Sequence, residues 1–347
     1  MHLGIEIGGT KLQLGVGSGA GGPLVVLERF DVDPARGAAG ILETMEAAGS
    51  RLAQRYQLKS IGVGFGGPVR ADQGIVLKSH QIEGWTEFPL VAWCGKVFGL
   101  PAYLGNDCDI ACLAEARFGA GKGRSVVFYV TIGSGLGGGL VIDGQIYRGN
   151  GVAAAEIGHL RPGPSADRPE ETVESIASGW GIAALAQARL AEPMTHQLKP
   201  LQDGLRKRRP EDVRQRLIEV EEVAEEFAAD LLGRADGKID QVSAKLVGQA
   251  AADGNEVAIE VLSHACQALG WGIAQMITLL SPHVIVIGGG VAQMGEALLL
   301  APLREQVDRY VFPPLRGTFS LVPAELGEAV VVHGAVALAA GEGVAFC

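Results

Sequence analysis

Short runs of β-branched and aliphatic residues recur along the chain, and three of them end in glycine clusters: Leu3–Val16 (LGIEIGGTKLQLGV), Val126–Ile142 (VVFYVTIGSGLGGGLVI) and Val284–Val291 (VIVIGGGV). In the first two, apolar residues resume with strand character after the glycines, which predicts a hairpin in each. After the third, AQMGEALLLAPLREQV carries apolar residues at helical spacing, so a strand, a glycine turn and a helix are expected there. Helical patterns cover Ala38–Tyr56, Phe88–Phe98 and Asp109–Phe118, the last stopped by Gly119-Ala120-Gly121, with strands predicted at Ile61–Phe65 and Ala102–Leu104. The alternation predicts an α/β lobe over residues 1–118, after which the second hairpin opens another. The greasiest stretch, near Ala274–Ile287, is interrupted by Ser281-Pro282-His283 and reads as a buried helix followed by a buried strand, not a membrane span.

Composition narrows the function classes. Of 347 residues, 48% are hydrophobic and 20% charged, the balance of a folded chain with a large core. The 51 glycines follow no Gly-x-y period, so they mark turns and close backbone approaches rather than a collagen helix. A net charge of -10 argues against a nucleic-acid or anionic-membrane partner, both of which need a basic face. A nucleotide stays open, because backbone N–H groups hold phosphate without net positive charge. Five scattered cysteines with no CxxC pair read as free thiols of a reducing compartment, and the opening MHLGIEIGG shows no secretory signal, so a cytoplasmic protein is expected. Residues 195–240 run from basic (Leu205-Arg206-Lys207-Arg208-Arg209) to acidic (Glu219–Glu226) and read as a solvated helical insertion or, alternatively, as a partner-binding segment.

The glycine turns carry the first chemical signal. Gly8-Gly9-Thr10-Lys11 combines backbone that can approach phosphate oxygens with a hydroxyl and an ammonium. Gly133, Gly135 and Gly138 match GxGxxG formally, with Ser134 between the first two. A dinucleotide site needs a helix next, however, whereas LVIDGQIY continues as a hairpin through Asp143-Gly144. Either turn alone reads as readily as a ligand-free tight turn; two of them, each opening an α/β lobe, favour a nucleotide held between the lobes. Glu6, at the end of the first strand, suits a magnesium ion held through water, or else is a plain strand glutamate.

Taken in order, EIGGTK (6–11), GVGFGGPV (62–69), GNDCDIACLAEARFGAG (105–121), GSGLGGGLVIDGQIYRG (133–149), AEIGHL (155–160), ESIASG (174–179) and VIVIGGGV (284–291) resemble the ROK family of sugar kinases and sugar-responsive repressors. The resemblance runs nearly end to end, leaving out the 195–240 stretch. It implies a two-lobed actin-like ATPase (ribonuclease H-like) fold with nucleotide and sugar in the interlobe cleft. The small α/β lobe would comprise residues 1–118 and about 333–347, and the large one 119–332. Asp107 matches the family's catalytic base; from local sequence alone it reads equally as a helix cap. Glu156, His159 and Glu174 stand at the family's sugar-binding positions, completed by Asn106, Gly66 and Gly67. ATP and Mg²⁺ are the implied cofactors, with Gly288, Gly289 and Gly290 joining Gly8–Lys11 and Gly133–Gly135 at the nucleotide. A small-molecule sugar is the implied partner, and a homodimer the implied assembly.

Departures from the family pattern are as informative. The family's zinc-binding cysteine cluster is replaced by RPGPSADRPEETV (161–173), which has no cysteine, so no structural zinc is expected. Glu6 stands where the family usually has aspartate, Gln81 where a sugar-contacting asparagine is usual, and Ala155 where a glycine is usual. These changes leave the acceptor's identity open and admit a sugar- or partner-binding pseudo-kinase as the alternative to an enzyme. A repressor is disfavoured, because the first strand begins too early in this sequence for a preceding helix-turn-helix.

Overall fold

The computed structural model describes residues 1–79, 81–151, 153–163, 168–191 and 225–341. Its first hairpin forms where expected: β1 (His2–Ile7) and β2 (Lys11–Gly17) are buried but for their first residues, mostly apolar apart from Glu6 and Gln13, and paired antiparallel through Leu3↔Val16 and Ile5↔Leu14. Because both faces of these strands are covered, they read as near-continuous hydrophobic runs. β3 (Val26–Asp31) extends the hairpin at the sheet edge, while β4 (Ile61–Phe65) and β7 (Ala102–Asn106) add in parallel on the other side, giving the order β3-β2-β1-β4-β7. A short ribbon, β5 (Val69–Arg70) and β6 (Ile75–Val76), lies between β4 and α2 (Leu90–Phe98) in the chain.

The second sheet repeats the plan. β8 (Val126–Ile132) and β9 (Leu136–Ile142) form the hairpin, β10 (Gln145–Ile146) the antiparallel edge, and β11 (Val284–Gly288) and β12 (Ser320–Pro323) the parallel side, in the order β10-β9-β8-β11-β12. Asp143 and Gly144 both take positive φ, 50° and 76°, the backbone a two-residue hairpin turn requires.

Three cores show how the layers stack. α1 (Gly37–Arg55) and α2 cover the outer face of the first sheet, burying Ile41, Met45, Leu52 and Cys94 with Ile5, Val63 and Trp85. On the far face of the second sheet lie α4 (Val173–Ala177), α5 (Gly179–Ala191), α6 (Ala244–Ala252), α7 (Glu256–Leu280) and α8 (Ala301–Tyr310), packed on Phe128, Val130 and Ile287. Between the sheets sit α3 (Asp107–Phe118), against β8 and β9, and α9 (Val330–Ala339), against β1 and β4. They touch each other at backbone distance: a methyl group on Gly334 of α9 would come within 2.0 Å of the Ile110 carbonyl oxygen of α3. α7 is long and apolar enough to cross a membrane, yet 61% of its most apolar window is buried against protein, as a core helix requires.

Several boundaries differ from expectation for local reasons. α2 begins at Leu90 rather than Phe88, because Pro89 occupies the position before the helix. α3 begins at Asp107 rather than Asp109, because the Asn106 side chain accepts from Cys108 N and Asp109 N and so starts the helix two residues earlier. After β11 the chain does not enter one continuous helix. A 3₁₀ turn (Val291–Met294) ends at Gly295, whose φ is 81°, before a π turn (Glu296–Leu300) leads into α8. Most of the charged 195–240 stretch, residues 195–224, lies outside the described residues.

Candidate active site

The strand order places three chain segments side by side. β1 ends at Ile7, β4 at Phe65 and β7 at Asn106; Gly66 N donates to Ile7 O (2.9 Å), and Asn106 Nδ2 donates to Gly67 O (3.1 Å). Asp107 follows at the start of α3. A methyl group on Gly66 would stand 3.4 Å from Asp107 Oδ2, so Gly66 leaves this carboxyl approachable where a side chain would cover it. Asp107 Oδ1 accepts from Cys108 N (2.9 Å). Burial above all, and then repulsion from Glu6, push its pKa up to about 6, against the pull of the Cys108 N–H.

Glu6 is buried at the end of β1, directly opposite Gln13 in the hairpin register. Its Oε2 accepts from Gln13 Nε2 (2.5 Å), and its Oε1 lies 3.4 Å from Lys11 Nζ. Lys11 and Gln13 also reach the backbone carbonyl of Glu328, just before α9. Burial raises the pKa of Glu6, opposed chiefly by Lys11. The turn itself closes by Gly8 N donating to Lys11 O (3.0 Å), with Thr10 exposed at its tip. Gln81 lies against this turn: a Cβ on Gly9 would overlap the Gln81 side-chain amide. The structure therefore sets Gln81 beside the first glycine hairpin.

At the second hairpin, Gly133 N donates to Gly135 O (2.9 Å), and the start of α5 closes over it, Gly179 N donating to Gly133 O (2.8 Å) and Trp180 N to Ser134 O (3.2 Å). Glu174, on α4, supports the same turn through Leu136 N (2.8 Å to Oε2). The glycines that follow serve packing: a Cβ on Gly137 would come 2.6 Å from Cys108 Sγ, and one on Gly138 2.4 Å from Ala155 O. Of the three glycines after β11, Gly288 and Gly289 press on Tyr129 and Ile132, while Gly290 faces open space.

Glu156 and His159 border the 3₁₀ turn Ile157–His159, both open to solvent along the cleft. Burial of its carboxyl is still the main influence raising Glu156's pKa; His159 counters it and Glu174 reinforces it, so the three groups sense one another. Ala155, before Glu156, has φ of 60°, a left-handed conformation that glycine would take without strain.

Two residues that sequence reasoning passed over belong to the same place. Asp109 and Arg148 line an open cleft together with Asn106, Glu156 and Val69. The Asp109 pKa is pushed up to about 7, mainly by burial, with Arg148 pulling it down and Glu156 and Asp107 pushing it up. The missed signal was the first-turn acid: negative charge near a helix N-terminus is so ordinary that Asp109 drew no notice.

Among the described residues, no group of three or more His, Cys, Asp or Glu side chains is placed to hold a metal ion. A buried carboxylate such as Glu6, which already contacts Gln13 and Lys11, is of a type that could hold a hard cation through water.

Two topologically equal sheets, each opening on a glycine hairpin, with a buried carboxylate at the strand ends between them, define a phosphotransferase of the two-lobed actin-like class. The chain belongs to the ROK family, whose model matches residues 2–342. It is 29% identical over 345 residues to a glucokinase of Halalkalibacterium halodurans, spanning 96% of this chain and 93% of that protein. An N-acetylmannosamine kinase of Escherichia coli O157:H7 is 34% identical over 196 residues, 54% of this chain and 65% of that one. Among solved structures, the ROK glucokinase of Streptomyces griseus in complex with glucose and AMPPNP superposes with a TM-score of 0.76 at 30% identity, covering 98% of this chain and 99% of that one.

Proposed function

We propose that this chain transfers the terminal phosphoryl group of ATP to a hydroxyl of a hexose or N-acetylhexosamine, with Asp107 as general base. It is an ATP-dependent sugar kinase, and the observation that carries the mechanism is the Asp107 carboxyl, left uncovered by Gly66 with its pKa near 6. A base of that strength is mostly ionised at neutral pH and still basic enough to take the proton of an attacking hydroxyl as the new bond to phosphorus forms. Asn106, Gly66, Gly67, Glu156, His159 and Glu174 would orient the sugar; carboxylates and an imidazole suit vicinal hydroxyls, whose recognition depends on filled hydrogen bonds. The turns at Gly8–Lys11 and Gly133–Gly135, with Gly290, would hold the polyphosphate through backbone N–H groups, Lys11 adding positive charge. Glu6 would hold a magnesium ion through water, and that ion would supply neutralisation of the phosphate charge.

The two-lobe division at residues 1–118 plus about 333–347 against 119–332 is part of this reading, supported by the separate cores on the outer faces of the two sheets. A homodimer in the cytoplasm completes it; analytical ultracentrifugation tests the first half.

The deciding experiment is coupled ADP release across hexoses and N-acetylhexosamines with MgATP. Turnover with at least one sugar is expected, and none with any would defeat the enzyme. A sensor without phosphotransfer is the second reading, favoured by one observation: the Gln81 amide sits against Gly9, over the phosphate turn. Calorimetry separates the two, since a sensor of this kind binds sugar but not MgATP.

A further inference from the structure

The cleft beside Asp107 holds a cation and a carboxylate to which the phosphotransfer assigns no role. Asn106, Asp109, Arg148 and Glu156 line one open space of about 390 Å³. Arg148 Nε is buried and, among the described residues, finds no hydrogen-bond partner. Leaving such a donor unmet is costly, and a bound molecule would recover that cost. Arg148 attracts Asp109, so the two act as neighbours across this wall.

Their chemistry is complementary. A guanidinium only donates and a carboxylate only accepts, so side by side they match a group that presents an acceptor and a donor together. A secondary amide does so with its carbonyl oxygen and its N–H. A hydroxyl can also accept from one and donate to the other, so the apolar part of the wall decides between them. The same cleft is walled by the small apolar side chains of Val69, Ala71, Ala153 and Ala154, which suit a methyl group.

We propose that Arg148 and Asp109 read an acetamido substituent on the acceptor sugar, Arg148 donating to its carbonyl oxygen and Asp109 accepting its N–H, so that the chain selects N-acetylhexosamines over the parent hexoses. The inference rests on the sugar-kinase reading and adds the acceptor class to it. The competing role for the couple is structural, with Arg148 merely tying the loop after β10 to α3.

The test compares kcat/KM for N-acetylmannosamine and N-acetylglucosamine with that for mannose and glucose, in the wild-type chain and in Arg148→Ala and Asp109→Ala, which removes the acceptor. The expected result is that one acetamido sugar is preferred over its parent hexose by roughly tenfold or more, and that each substitution erases most of that ratio. A structural tie would lower all sugars together and leave the ratio unchanged, overturning the proposal. A wild-type preference for the parent hexose would overturn it too, while leaving the kinase intact. If no sugar is phosphorylated, the kinase reading fails, and calorimetry with sugar alone decides the couple. Tighter acetamido binding that Asp109→Ala abolishes supports it; equal binding overturns it. Should Arg148→Ala not fold, Arg148→Lys keeps the charge without Nε and is held to the same ratio.

Discussion

The two five-stranded sheets share one strand plan but equip the same turn differently. In the first hairpin the charge is internal: Glu6, Gln13 and Lys11 project from the paired strands and contact one another. In the second, Gly133, Ser134 and Gly135 bring no charge, and the support comes from outside, from Glu174 of α4 and the start of α5. A shared topology thus supplies two backbone cradles. Which cradle carries charge is settled by side chains the topology does not dictate, and Asp107, beside the first, feels Glu6 as its second-largest influence.

That asymmetry can be broken at graded cost. The largest effect is expected from Asp107→Asn, a loss of roughly 10²–10⁴ in kcat. In the wild type, kcat/KM should fall as pH drops through about 6, where Asp107 takes up its proton, and level off above it. The stability sign runs the other way. The folded pKa lies above the unfolded one, so the ionised carboxyl costs stability above about pH 6, and that cost fades as pH falls towards 4. Asp107→Asn should therefore raise Tm at pH 7.5 and change it little at pH 4; a lower Tm at both would show the carboxylate to be structural.

Next in size is Glu115, fully buried in α3 and accepting from Ala120 N (2.8 Å), Glu325 N (3.0 Å) and Leu326 N (2.9 Å). It ties α3 to the segment between β12 and α9, a support that serves both hairpins. Glu115→Ala should cost about 3 kcal/mol in urea denaturation, since it strands three donors.

A smaller effect distinguishes the hairpins directly. Glu6→Gln should raise the magnesium concentration needed for half-maximal rate by roughly tenfold. Glu174→Gln keeps an acceptor for Leu136 N and should leave that requirement nearly unchanged. Equal shifts would mean that the two turns are chemically alike after all. The smallest change expected is a gain: Ala155→Gly should stabilise the chain by about 1 kcal/mol by relieving the left-handed backbone beside Glu156, read as a rise in Tm.

Much of this architecture was legible beforehand. Alternating apolar runs ending in glycine gave away both hairpins, and β4 was placed to the residue, because strand periodicity and turn glycines are local signals. The reading of Asp107 as a base came only from its match to the family's motif, since a first-turn aspartate after an asparagine is also ordinary helix capping. The rest depends on tertiary neighbours. Gly138 fits the GxGxxG pattern in sequence, yet a Cβ there would meet the Ala155 carbonyl, 17 positions on, and one on Gly137 would meet Cys108, 29 positions back, too far for a local pattern to reveal. Arg148 and Asp109 become a pair only once β10 and α3 meet across the cleft.

Cys108, next in sequence to Asp107, is wedged against Gly137. Burial and the neighbouring Asp107 hold its thiol far above the ordinary range, and Cys94, Cys112 and Cys266 are likewise buried and protonated at neutral pH. Thiolate is the form that oxidants and alkylating reagents attack. The cleft therefore keeps sulfur beside Asp107 without exposing it to redox chemistry, and Cys108 becomes a native reporter: iodoacetamide should label it only when α3 lifts from β9.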